Sequence, residues 1–191
     1  MSQAMLQRMR AVELVAIGAS AGGIDALLAL LARLPAGWRL PIVVVLHLPE
    51  EHQSRLPAVF GDHPHLAEQE AMDKAPVTPA TLYFAPPGYH LSLERERCFS
   101  LSCEPPVLFS RPSIDVMMSS AADAYGSALA GVLLTGANED GARGLAQIHN
   151  AGGITAVQEP ADAQSPPMPP AAPQPPGPGL VAPRGGVGGV L

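Results

Sequence analysis

Apolar positions along the chain fall into two rhythms. Short, dense apolar runs occur at 12–17 (VELVAI), 41–48 (PIVVVLHL), 128–136 (ALAGVLLTG) and 154–158 (ITAVQ). The β-branched run at 41–48 is of the type found in parallel strands covered on both faces. Between these runs, apolar residues recur at helical spacing. One such stretch is 22–34 (GGIDALLALLARL), ended by Pro35. A second is 111–126 (RPSIDVMMSSAADAYG), opened by Pro112 and closed by Gly126, and a third is 140–153 (DGARGLAQIHNAGG). SRLPAVF at 54–60 reads as a short helix entered after Ser54. Compact strand signals at 81–86, 89–95 and 98–103 are separated by short turns. This alternation predicts an α/β fold: a doubly wound, mostly parallel sheet flanked by helices, with a small β-hairpin insertion.

From Pro160 the pattern stops. The stretch SPPMPPAAPQPPGPGLVAPRGGVGGVL carries one charge, Arg184, and no periodicity. Such a segment cannot bury enough apolar surface to offset its ordering entropy, so disorder is expected there. The chain therefore divides into an N-terminal extension (1–11), a folded domain (12–172) and a Pro/Gly-rich tail (173–191).

Composition narrows the function classes. Hydrophobic residues make up 47% and aromatics only 4%, so the core is expected to be aliphatic. The net charge of −6, with one lysine (Lys74) and scattered arginines, excludes a nucleic-acid footprint. Glu13 interrupts the first apolar segment, so no signal peptide is read. No uncharged apolar run reaches the about 18 residues of a spanning helix, so no membrane insertion is expected. Cys98 and Cys103 would face opposite sides of one strand and are read as reduced thiols of a cytoplasmic protein.

Ligands of open α/β sheets sit beyond the carboxyl ends of the strands. Three polar residues fall there: Ser20 after the first strand, His47 at the end of the second, and Asp140 after GVLLTG. A nucleophile, a base and an orienting carboxylate are the inventory for acyl transfer. Small neighbours in IGASAGG would let a carbonyl carbon reach the Ser20 hydroxyl. The amide of Ala21, at the positive end of the next helix, would bind the developing oxyanion. Plainer roles are open for each residue: Ser20 as an N-cap or part of a phosphate cradle, His47 as a strand-end histidine, and Asp140 as the N-cap of the helix after it. A metal site from His52, His63, His65 or the cysteines lacks compact ligand spacing.

Five ordered motifs then carry a family resemblance: IGASAGG, VVVLHLP, YFAPPGYHLSL, RPSIDVMMSSAADAYG and GVLLTGANEDGARGL. In this order they resemble the receptor methylesterases of bacterial chemotaxis (CheB-type catalytic domains), over residues 12 to 172. The resemblance implies a cofactor-free serine hydrolase, active in adaptation and signal transduction. It would cleave glutamate γ-methyl esters in the helical cytoplasmic regions of chemoreceptors, and would also deamidate receptor glutamines. It implies Ser20 as nucleophile, His47 as general base and then acid, and Asp140 as the residue that orients the imidazole. His90 and Arg111 match positions near the family's cleft and would contact substrate. Ala21 stands where relatives often carry Ser or Thr. Ala137 and Asn138 replace Met and Gly beside the expected oxyanion site. The family's phosphorylatable receiver domain is expected to be absent from this chain. After SPPMPPAA the family continues with a helix and a strand, unlike this tail. Three rivals follow: a scaffold module of the same fold that has lost turnover, favoured by Ala137 and Asn138; an esterase for small molecules; and, last, a nucleotide-binding domain.

Overall fold

The fold is that of a computed structural model, which describes residues 11–47, 56, 60, 66–134 and 139–158, and the backbone of 180–182. Seven strands form one sheet: β1 (Leu14–Ala19), β2 (Ile42–Leu46), β3 (Ala67–Glu70), β4 (Thr81–Phe84), β7 (Leu129–Leu133), β8 (Ile154–Gln158) and β9 (Leu180–Ala182). Their order across the sheet is β3-β4-β2-β1-β7-β8-β9, and every pairing is parallel. The two remaining strands, β5 (His90–Leu93) and β6 (Phe99–Ser102), form a separate antiparallel hairpin. The described helices are α1 (Gly23–Leu31), α2 (Ile114–Tyr125) and α3 (Ala142–Asn150).

The central strands are buried on both faces, as their unbroken apolar runs require. Alternate residues feed two cores. Val15, Ile17 and Ala19 pack with α1, Trp38, Leu56 and Phe60 on one face. Leu14 and Ala16 pack with α2, α3 and the hairpin on the other. The expected doubly wound sheet with a hairpin insertion is the architecture found. Chain order reverses at β1, which has β2 on one side and β7 on the other. The crevice beyond the carboxyl ends of these strands is where such sheets bind ligands.

Two strands differ from the expectation. β3 (AEQE) alternates exposed and half-buried residues at the sheet edge. Without an apolar face it gives no hydrophobic signal, and its pairing to β4 alone makes it a strand. β9 lies inside the tail expected to lack order, and pairs with β8 from Ala156↔Leu180 to Gln158↔Ala182. Its residues, LVA, form an apolar stretch without proline or glycine between Pro178-Gly179 and Pro183, so their amides can extend the ladder. The helix expected at 54–60 lies largely outside the described residues; Leu56 and Phe60 are buried, with Phe60 and Phe84 ring centroids 5.2 Å apart. Cys98 and Cys103 are both unbridged, the second exposed. Among the described residues, no helix is long and apolar enough to cross a membrane.

One close approach sets the geometry of the sheet's carboxyl edge. A Cβ on Gly18 would overlap Ile114 Cγ2, the first residue of α2. Glycine at 18 therefore lets the start of α2 rest directly on β1. Gly18→Ala should destabilise the fold by about 1–3 kcal/mol, as overpacking does in a dense core. Chemical denaturation would measure it, and an unchanged midpoint would show that α2 does not need this seat.

Candidate active site

The ladder fixes two of the three expected residues. β1 and β2 end in register at Ala19↔Leu46, so Ser20 and His47 are the next positions on neighbouring parallel strands. The His47 amide still donates to Ala19 O at 3.0 Å, extending the pairing up to the site. Beyond Ser20 the chain turns at once. Gly22 has φ 75°, a left-handed conformation that side chains disfavour, and α1 begins at Gly23, whose amide donates to Ser20 O. Ser20 is thus half-buried at the tip of a strand-to-helix turn, with Ala21 exposed beside it.

Asp140 joins them from across the switch point. Its Oδ2 lies 2.9 Å from His47 Nε2. The imidazole is largely covered, 12% exposed, and Asp140 is fully buried. Three more donors hold this carboxylate. Ser113 Oγ donates to Oδ1 at 2.8 Å, Ile114 N to Oδ2 at 2.7 Å, and Asp115 N to Oδ1 at 2.9 Å. The two amides belong to the first turn of α2, whose positive end stabilises an anion. Burial opposes ionisation of Asp140, but the hydrogen bonds from His47, from the Asp115 and Ile114 amides and from Ser113 outweigh it. They hold the carboxyl below the ordinary carboxylate range.

Asp140 was open to a second reading, as N-cap of the helix following it. That role passes to Gly141, which offers no side chain, and the cap of α3 comes from elsewhere. Asp115 Oδ1 accepts from Gly141 N at 3.0 Å and from Gly144 N at 2.7 Å. The two aspartates are therefore exchanged: Asp140, before α3, binds the start of α2, and Asp115, in α2, binds the start of α3. Their pKa values move apart. Burial, with the nearby charge of Asp140, outweighs the two amides and Arg143 and raises the Asp115 carboxyl. Reading the sequence missed Ser113 and Asp115. The available signal was PSID, a serine N-cap with an acid in the first turn, which marks a helix start but not its partner.

The peripheral residues come out differently. His90, expected to touch substrate, is 1% exposed with both ring nitrogens engaged. Ser113 N donates to Nδ1 at 3.2 Å, so Nε2 carries the hydrogen and donates to Pro105 O at 3.1 Å. It props Ser113 from behind, because the hairpin carries it under the α2 N-terminus. Arg111 is half-buried, and its Nη1 donates to Cys103 O and Glu104 O at 3.1 Å each, pinning the loop that leads to α2. Ala137 and Asn138 lie outside the described residues, as do His52, His63 and His65. Among the described residues, no cluster of three or more His, Cys, Asp or Glu has the geometry to hold a metal.

A serine, a histidine and an ionised, buried aspartate at one sheet edge can activate a hydroxyl for attack on a carbonyl. Comparison with known proteins places the chain itself. The CheB methylesterase family model matches residues 15–177. The chain belongs to the CheB methylesterase family. A Leptospira interrogans relative (strain Fiocruz L1-130), named "Putative protein-glutamate methylesterase/protein-glutamine glutaminase", is 41% identical over 157 residues, covering 82% of this chain and 81% of its own. An Anaeromyxobacter dehalogenans protein-glutamate methylesterase/protein-glutamine glutaminase 2 is 42% identical over 148 residues, 78% of this chain but 43% of its own. The crystal structure of the Thermotoga maritima CheB methylesterase catalytic domain superposes with a TM-score of 0.84 at 27% identity, covering 93% of this chain and 96% of that one.

In this CheB-family chain the two aspartates should respond oppositely to neutralisation. Each Asp140 oxygen accepts from two donors, so Asp140→Asn turns an NH₂ toward donors in either flip. The expected cost is about 1–3 kcal/mol per orphaned group at pH 7. Asp115→Asn keeps the Oδ1 acceptor and removes a charge facing Asp140, so its effect should stay within about 1 kcal/mol. The pH signs differ too. The lowered pKa of Asp140 contributes stability above its unfolded value that is lost as pH falls through its folded value. The raised pKa of Asp115 makes acidification favourable between its unfolded and folded values. Urea unfolding from pH 7 to 3 should therefore show a flatter acid limb for Asp140→Asn. A parallel profile would remove Asp140 as the acid-sensitive group.

Proposed function

We propose that this chain is a serine hydrolase that removes γ-methyl esters from glutamate side chains of chemoreceptors, releasing methanol, and converts particular receptor glutamines to glutamate. The observation that carries the reading is the 2.9 Å contact between His47 Nε2 and an Asp140 carboxylate kept ionised by helix amides. The names of its relatives supply the substrate class.

With Asp140 ionised, Nε2 of His47 carries the hydrogen and Nδ1 keeps its lone pair. Nδ1 is then the base: it takes the Ser20 proton as Oγ attacks the ester carbonyl carbon. The resulting oxyanion is stabilised by the Ala21 amide, at the positive end of α1. As the tetrahedral species collapses, His47 returns the proton to the departing methoxide and methanol leaves. Water, deprotonated by His47, attacks the acyl-enzyme, and His47 gives that proton to Ser20 Oγ as the glutamate leaves. A glutamine follows the same course with ammonia as leaving group. His47 relays each proton between Ser20, the leaving group and water, and no cofactor enters. Residues 12–172 are assigned as the catalytic domain and the cytoplasm as its place of work, where the helical signalling regions of chemoreceptors lie. The scaffold reading draws its support from Ala137 and Asn138; an ionised Asp140 held on His47 favours turnover.

The test is methanol release from a methylated chemoreceptor cytoplasmic fragment, with circular dichroism on the same samples. Ser20→Ala should remove release while keeping the fold, because it deletes one half-buried oxygen. Asp140→Asn should lower kcat by about 10⁴-fold, the size seen when the equivalent change imposes the wrong tautomer in serine proteases. A folded parent that releases no methanol would refute the proposal, and near-parental activity of Asp140→Asn would remove Asp140 from the triad.

A further inference from the structure

Between the hairpin and α2 the chain makes a second, smaller turn. Val107 and Ser110 pair as an antiparallel bridge, with Val107 N donating to Ser110 O at 3.1 Å and Ser110 N to Val107 O at 2.9 Å. The two residues at the tip, Leu108 and Phe109, have φ of 48° and 64°. Positive φ at both tip positions is the turn that Asn-Gly fills without strain, and large side chains fill it at a cost. The fold buries neither of them. Phe109 is fully exposed at 103%, and Leu108 is exposed at 44%. Among the described residues, the other non-glycine positions with positive φ are Lys74, Ala80 and Arg97, none of them a large hydrophobe.

We propose that the Leu108–Phe109 turn docks the helix that bears the ester, a proposal that rests on the function given above. Continuity with the site supports it. Phe109 precedes Ser113, the donor to Asp140, by four residues, a reach of at most about 14 Å. An open groove runs from Val107 and Leu108 to Ala142, Arg143 and Ala146 on α3, and Asp115 and Glu139 line it too. Charge supports it as well. The chain is acidic overall, and a segment rich in glutamate is acidic too, so their net charges do not draw them together. Local contacts must hold the substrate instead. A helix from a helical bundle carries an apolar seam beside its glutamates. Phe109 and Leu108 meet that seam, so apolar contact rather than charge holds the helix there.

The double variant Leu108→Asn/Phe109→Gly separates docking from folding, because it installs the residues this turn prefers and should not lower Tm. Two substrates are compared: the methylated receptor fragment and a short peptide holding one glutamate γ-methyl ester. The variant should lose about tenfold in kcat/KM on the fragment through KM, the scale of losing an apolar anchor, and stay within about twofold on the peptide. Equal losses on both substrates, or none on the fragment, would overturn the proposal. Failure of the functional reading would look different, as a parent that does not hydrolyse the fragment. Fragment affinity for Ser20→Ala, with and without the two turn changes, then decides docking alone: loss of affinity supports it, and equal or absent binding overturns it. Parental binding to phosphatidylglycerol vesicles that the variant loses would assign the turn to a membrane surface and overturn it too.

Discussion

The exchange of Asp140 and Asp115 between two helix starts is the constraint on which the rest of this edge depends. A helix start leaves amides unpaired, and here two helices begin at one buried place, where water cannot serve them. One carboxylate from each side satisfies the other's amides, so neither helix can shift without exposing a buried charge or buried donors. Two carboxylates so close also repel, and the protein resolves the conflict unequally. Asp140 receives the hydroxyl and imidazole donors in addition to its amides and stays ionised. Asp115 lacks those two and is pushed toward its neutral form by burial and by its neighbour. Divergent carboxyl pKa values in one site are a recurring mark of divided roles.

Catalytic geometry follows from this packing at little further cost. Ser20 and His47 are placed by strand register. Asp140 follows no strand directly, since the chain between Leu134 and Glu139 intervenes. Its position is fixed by α2, which is seated on Gly18 of the strand that carries Ser20. Ser20 and Asp140 are thereby referred to one strand, β1, although 120 positions separate them in the sequence. His90 extends the same support outward, holding Ser113 from the hairpin side. Removing its ring would leave the Ser113 amide without its acceptor in a buried setting.

Much of this was legible in the chain itself, and the misses share a cause. Ser20, His47 and Asp140 could be read because strand ends in an α/β sheet are visible as the ends of apolar runs. The alternative for Asp140, a helix cap, was half right: it does cap a helix, but the one that starts at Ile114. Sequence proximity favours a residue's own helix, whereas the actual partner is decided by how α2 and α3 pack. His90 failed for the same reason, since YHLSL shows a hairpin residue but not the helix start that covers it. Strand β3 failed because pairing, not hydrophobicity, makes it a strand, and β9 because its few apolar residues are hidden in a proline-rich composition.

The division of labour between local and distant information bears on how such a site tolerates change. Strand register and the Ser20 turn are local, and they survive as long as the sheet does. The carboxylate arm is non-local, resting on side chains from three segments: Ser113 and Asp115 at the α2 start, His90 on the hairpin, and Asp140 itself. A substitution in any of these can leave the strands intact and still move the charge that sets the tautomer of His47. A change confined to the donors that meet a carbonyl oxygen would act instead on a separate feature. Loss of turnover through the arm should therefore carry a stability and acid-sensitivity signature, because the same hydrogen bonds serve both. Loss through the oxyanion side should not. The two routes by which this fold could become a silent module are thus physically distinguishable, and only the first is opposed by the packing of two helix starts on exchanged aspartates.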